Sequence, residues 1–214
     1  MRVAVERRHS FGVSHQQAEA IQQRLRGLLS DEPPKRVERV AGAYALFGGG
    51  EEGARVAAAA CVVRLPGLEV VEQLVVPPKA ALPYRPGFLA FSVGPALIEA
   101  LEALAVEPEV VLFAAHGRAH PRGLGLAAHL GVLFDVATVG CAAELLVDEG
   151  GEDAAQAVHT RAGVRPVFVS AGHRMDLETA VGIVRQCCPR YRTPEPLRRA
   201  RALLRQRRVE EGWG

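Results

Sequence analysis

"RVERVAGAYALFGGGEEGARVAAAACVVRLPGLEVVEQLVV", residues 36–76, decides how this chain is read. Three apolar runs rich in valine and alanine are separated by "GGGEEG" and by "PG". Short runs with β-branched residues suit a pleated, half-buried surface, and breaks of this composition turn a chain back on itself. Residues 36–47, 54–65 and 68–76 are therefore expected to form an antiparallel meander.

On either side of the meander the period changes. Upstream, "SHQQAEAIQQRLRGLL" (14–29) carries Ala18, Ile21, Leu25, Leu28 and Leu29 at helical spacing, with Ser14 placed to cap the first turn. Downstream, the proline-rich "PPKAALPYRPGFLAF" (77–91) is expected to be an ordered surface loop, because proline donates no backbone hydrogen bond. "GPALIEALEALAVE" (94–107) then reads as a helix with Pro95 in its first turn. "EVVLFAA" (109–115) has the continuous apolar character of a parallel strand covered on both faces. A helix over 123–134, strands within 136–147 and 164–172, and a helix capped by Asp176 complete the pattern. A meander followed by alternating strands and helices predicts an α/β fold: a mixed sheet, antiparallel and then parallel, flanked by helices.

With 214 residues the chain suits one domain over 1–214, and residues 148–163 read as a surface insertion. Its 49% hydrophobic and 23% charged residues exclude disorder as the main state. The N-terminus lacks the apolar core of a signal peptide, and no run approaches the roughly 18 apolar residues of a membrane span, so a cytoplasmic protein without a membrane partner is expected. Cys61, Cys141, Cys187 and Cys188 lack metal-knuckle spacing and read as reduced, half-buried thiols. The net charge is only +2, but arginines crowd residues 190–208, making residues 195–214 a basic helix or tail suited to a polyanion.

One segment has the look of a site without its acid. "VLFAAHGRAHPRGLG" (111–125) runs from an apolar strand into histidines, arginines and glycines, yet Ala114 and Ala115 stand where a carboxylate would be useful. Together with "PYRPGFLAF" (83–91), "TVG" (138–140), "SAGHR" (170–174) and "YRTPEP" (191–196), its "HGRAHPRGLGLAAHLGVLFD" (116–135) resembles the signature blocks of endonuclease V, the deoxyinosine 3′-endonuclease. The blocks fall in the same order, and the likeness runs from about Val37 to about Arg199.

The resemblance implies a ribonuclease H-like fold and a Mg²⁺-dependent nuclease that senses deaminated adenine. It also exposes departures. Tyr44 replaces an aspartate in "VAGAYALF", Val93 a glutamate after "PGFL", Ala114 an aspartate before the "HG" turn, and Ala143 a lysine in "VGCAAELL". Of the catalytic set implied by the resemblance, His173 alone remains.

Magnesium requires near-octahedral oxygen donors, which proteins supply through carboxylates, waters and substrate phosphate. Valine and alanine offer no donor atoms, and a neutral phenol is a poor ligand for a hard cation. No metal and no cofactor are therefore expected, and the chain reads as a catalytically silent relative. Four histidines, His116, His120, His129 and His173, are the raw material for a zinc cluster, but in a nucleic-acid-binding family such residues more often pack or donate to phosphate. Removing two carboxylates about 4 Å apart also relieves a repulsion of about 4 kcal/mol at moderate dielectric, which favours an approaching phosphate.

What remains is suited to binding. Tyr84 matches the aromatic wedge of the family, with Arg85, Pro86 and Gly87 around it. His116, Gly117, Arg118, His120, Arg122, Gly140, Gly172 and Arg174 are further candidates for contacts with nucleic acid, DNA or RNA. Two other readings stay open at this stage. His173 could sustain residual cleavage with a non-standard metal or a water, since histidine is a competent acid or base. Alternatively, the apolar former active site could receive a protein partner.

Overall fold

The computed structural model describes residues 9–50, 53–145 and 155–213. Its centre is a seven-stranded sheet in the order β3-β2-β1-β4-β5-β7-β6. β1 (Arg39–Gly50), β2 (Gly53–Arg64) and β3 (Glu69–Ala80) form the expected meander, with Ala43 opposite Ala60 and Ala60 opposite Leu74. β4 (Val110–Phe113) runs parallel to β1, and β5 (Ala137–Ala142) parallel to β4. β7 (Val167–Ala171) then reverses, pairing antiparallel with β5 and with the short edge strand β6 (Gln156–Val158). The parallel section is thus confined to β1, β4 and β5.

Helices cover both faces. α1 (His15–Arg26), α2 (Leu89–Glu102) and α3 (Leu126–Phe134) bury Leu25, Leu97 and Leu130 with Ala41, Ala43 and Phe113 on one face. α4 (Leu177–Gln186) and α5 (Glu195–Glu210) bury Val184, Leu197 and Leu204 with Val40, Leu112 and Val139 on the other. This alternation along β1 and β4 is the two-residue period of a strand whose faces are both covered. Ser14 and Asp176 cap α1 and α4 as expected, each side chain accepting from a backbone amide of the first turn.

Four details differ from the sequence expectations. Pro77 and Pro78 belong to β3, which lies at the sheet edge, where a missing N–H costs no interior hydrogen bond. α2 begins at Leu89, so Pro95 stands inside the helix rather than in its first turn. All four cysteines are free and buried, not half-buried. Within the expected insertion, residues 156–158 pair into the sheet, while residues 148–154 lie outside the described residues. Among the described residues, no helix is long and apolar enough to cross a membrane.

Candidate functional site

Parallel register brings three of the substituted positions to one edge. Ala43 pairs with Phe113 and Phe113 with Gly140, so the next residues, Tyr44 and Ala114, stand side by side, with Ala143 just beyond β5. Tyr44 packs against the α5-face layer, in which Val110, Leu112, Val139 and Cys141 are buried, while Ala114 and Ala143 lie just past β4 and β5 and are exposed. Val93 is different. It is 2% exposed and packs with Ala43 and Ala115 in the layer on the opposite face.

α5 supplies the partner of Tyr44. Gly42 admits the helix start, because a Cβ there would lie 2.3 Å from the Pro196 carbonyl carbon. From that contact the helix follows β1, and the guanidinium of Arg201 comes to lie 5.9 Å from the centre of the Tyr44 ring. One turn earlier, Arg198 lies 4.5 Å over the exposed Tyr191 ring. Arg198 and Arg199 share the buried carboxylate of Glu195, whose ionisation they favour; Arg198 is the closer partner. Arg201 is exposed and meets no carboxylate among the described residues. At the end of β5, Arg192 donates to the carbonyls of Ala143 (2.9 Å) and Pro166 (2.7 Å).

The donor set at these strand ends does not fit a hard divalent cation. Tyr44 offers a phenol, Ala114 and Ala143 offer no side-chain oxygen, and Arg201 adds a fixed positive charge. Among the described residues, no three His, Cys, Asp or Glu side chains are grouped to hold a metal ion.

The structure does not bring His173 to this edge. Thr138 bonds to the backbone on either side of Gly172, accepting from its N–H and donating to the carbonyl of His173, and Thr138 lies opposite Val111. His173 therefore sits at the start of β5, about 10 Å back along the strand direction from Ala114. Its Nδ1 accepts from the Ser30 amide at 3.3 Å, so its Nε2 carries the proton donated to Asp135 Oδ1 at 3.0 Å. Arg174 pairs with the other oxygen of Asp135 at 3.2 Å. These two partners, His173 first, hold the Asp135 carboxyl below the usual range. His173, expected as the surviving catalytic residue, is joined with Asp135 and Arg174 in a connection between α3 and β7.

The histidine and arginine block also turns inward. Gly87, at φ +75°, presents a carbonyl that accepts from Gln22 Nε2 (3.0 Å), Arg122 Nη2 (3.0 Å) and His120 Nε2 (3.1 Å). Arg122 further donates to Gln22 Oε1 at 2.6 Å and lies 4.3 Å over the Phe88 ring. Burial, with Arg122 nearby, pushes the His120 pKa down to about 4, so this ring is neutral near pH 7. Arg118 is likewise occupied by Asp31, the Ser30 carbonyl and the Gly172 carbonyl. His116 is half-buried, and burial lowers its pKa. Gly117, Gly140 and Gly172 serve close packing: a Cβ on Gly140 would lie 2.3 Å from the Gly117 amide, and one on Gly172 would lie 2.1 Å from Thr138 Oγ1.

Three neighbouring candidates at the rim face outward. Tyr84 is 54% exposed, its ring meeting Phe47 of β1 edge-on at a centroid distance of 6.1 Å. Arg85 and Pro86 beside it are exposed. Tyr84 and the Tyr44–Arg201 pair thus flank the second half of β1, the former beside Phe47 and the latter on the α5 face. Sequence reading missed Arg201, which looked like any other arginine of a basic helix. The signal that could have found it was Gly42, a strand glycine asking for a close neighbour.

A sequence profile of the Endonuclease V family matches residues 21–202. The chain is 40% identical over 210 residues to Endonuclease V of Gloeobacter violaceus, covering 90% of this chain and 85% of that protein. Endonuclease V of Streptomyces avermitilis superposes with a TM-score of 0.84 at 33% identity, covering 99% of this chain and 100% of that one. Endonuclease V of Ciona intestinalis, solved with a 24mer DNA containing an inosine followed by a ribo-adenosine, gives a TM-score of 0.80 at 27% identity, covering 92% and 99%.

Proposed function

This chain belongs to the endonuclease V family and has its ribonuclease H-like fold, and from that premise we propose that it binds nucleic acid without cleaving it. The single observation carrying this reading is the edge formed by Tyr44, Ala114 and Ala143, where an arginine rather than a carboxylate cluster completes the site. Phosphodiester hydrolysis at a magnesium site depends on anionic oxygen donors that fix the ion and its water. Tyr44, Ala114 and Ala143 supply no such donor to orient an attacking water.

Binding draws on different features, and these are retained. Tyr84 and Arg85 project from the loop whose base is gripped by Gln22, His120 and Arg122. An exposed ring on a braced loop can stack on a base, a contact worth about 1–3 kcal/mol that tolerates any sequence. A strand already weakened by deamination or distortion yields a base most cheaply. Deaminated or distorted strands are therefore the expected ligands, and relatives crystallised with inosine-containing DNA lend this support.

The test is incubation of the full chain with a labelled inosine-containing oligonucleotide. At low salt we expect a retarded band, and with Mg²⁺ or Mn²⁺ no cleavage. Cleavage of the strand next to inosine would overturn the silent reading. Cleavage lost in His173→Ala would establish the histidine-based alternative. Absence of any retarded band would overturn the binding reading.

A further inference from the structure

We propose that the Tyr44–Arg201 pair is a phosphodiester-binding site in which a guanidinium takes the place of a divalent cation. This inference rests on the reading that the family's nucleic-acid face is still used for binding, and it names the group on that face that meets the backbone.

Arg201 lies over the Tyr44 ring at 5.9 Å, beside the point where β4 ends and β1 continues to Gly50. Ala114 and Ala143 contribute no bulk and no negative charge there, and both are exposed. An approaching phosphate therefore meets a cation, with methyl groups beside it rather than carboxylates.

The arginines of α5 differ in their partners. Arg198 and Arg199 are both paired with Glu195, and Arg207 with Glu211. Arg201 and Arg205, one turn apart on the same side of the helix, are both exposed and meet no carboxylate among the described residues. An arginine facing an aromatic ring keeps its in-plane N–H donors, and the planar fork of those donors matches two phosphate oxygens. Tyr44 restricts the guanidinium, so less freedom is lost when the anion arrives.

The other side of β1 offers a second contact. Tyr84 stands against Phe47, three residues beyond Tyr44 on the same strand, and residues three apart on a strand face opposite sides. Tyr84 and Arg201 thus offer a base contact and a backbone contact on the two sides of one strand. The substitutions that remove a metal site and the presence of Arg201 then have one meaning: attraction for the backbone is kept while the hydrolytic ion is dispensed with.

The experiment is fluorescence anisotropy of the full chain with a labelled single strand containing one deoxyinosine, measured in EDTA and in Mg²⁺ across a salt series. We expect the Kd in EDTA to lie within twofold of that in Mg²⁺. Arg201→Ala should weaken binding about fivefold to twentyfold and lower the salt slope by about 0.7, the value for one phosphate contact on a single strand. Arg201→Lys, which keeps the charge but loses the planar fork, should fall between the two. Arg207→Ala removes the same charge from the same helix away from Tyr44 and should change Kd by less than twofold. A requirement for Mg²⁺, or equal losses in the Arg201 and Arg207 variants, would overturn this site while leaving nucleic-acid binding intact. No binding by the parent protein in either condition would overturn both. Thermal melting of each variant, expected to match the parent because both arginines are exposed, separates lost contact from lost fold.

Discussion

Nε2 of His9 lies 2.7 Å from Nε2 of His129. One of the two rings must donate and the other accept, so the contact is lost if both imidazoles are protonated. His129 is completely buried between the Phe11 and Phe91 rings, and burial, reinforced by His9 and His120, pushes its pKa down to about 3. His9 is also lowered, chiefly by burial. The contact ties the segment before α1 to α3.

A pH dependence follows from these rings. His129 and His120 have folded pKa values near 3 and 4, below the unfolded value of 6.5. Between those limits the unfolded chain binds more protons, so stability is complete above about pH 6.5 and is lost as pH falls towards the folded values. At pH 5 each group contributes a loss of about 2 kcal/mol. Thermal melts should show a lower Tm at pH 5 than at pH 7.5, and His129→Leu should reduce that difference. Identical pH profiles for parent and variant would contradict the assignment.

Arg122 should matter for order more than for charge. It donates to Gly87 and Gln22, approaches Glu19 at 3.4 Å and covers Phe88. Arg122→Ala leaves the Gly87 carbonyl with fewer donors and is expected to cost about 1–3 kcal/mol. Hydrogen exchange should accelerate at residues 84–88 while the amides of β1 and β4 stay protected. Uniform acceleration would indicate global destabilisation instead.

Two glycine substitutions should act in opposite directions. Gly140→Ala forces a Cβ to within 2.3 Å of the Gly117 amide, between backbone segments that cannot yield. A loss of about 1–3 kcal/mol or more in urea unfolding is expected. Gly182 lies inside α4 with nothing within 4 Å of an added Cβ. Gly182→Ala should stabilise by about 0.5–1 kcal/mol, because alanine loses less backbone freedom in a helix.

Placing acids at positions 44 and 114 should create metal sensitivity. In a Tyr44→Asp, Ala114→Asp double variant, two carboxylates stand side by side and repel unless a cation lies between them. Its Tm should fall in EDTA and rise on adding Mn²⁺, whereas the parent protein should be insensitive to Mn²⁺. An equal Mn²⁺ response in both proteins would show a metal site elsewhere.

The meander, the caps at Ser14 and Asp176, and the order of strands and helices were legible because each is a local signal of period, turn residue or capping side chain. The residues at positions 44, 93, 114 and 143 were equally legible, and none of the four carries a carboxylate. What local signals cannot convey is which neighbours a fold makes. His173, Arg118, His120 and Arg122 have the composition of a site, yet their partners are Asp135, Ser30, Asp31 and the Gly87 carbonyl, all distant in sequence. Arg201 looked like one arginine among many until α5 was laid along β1 through Gly42, placing it on Tyr44. The chain's own sequence determined which side chains stand at positions 44, 114 and 143. Only the docking of a helix on a sheet, a matter of long-range packing, decided which charge stands beside them.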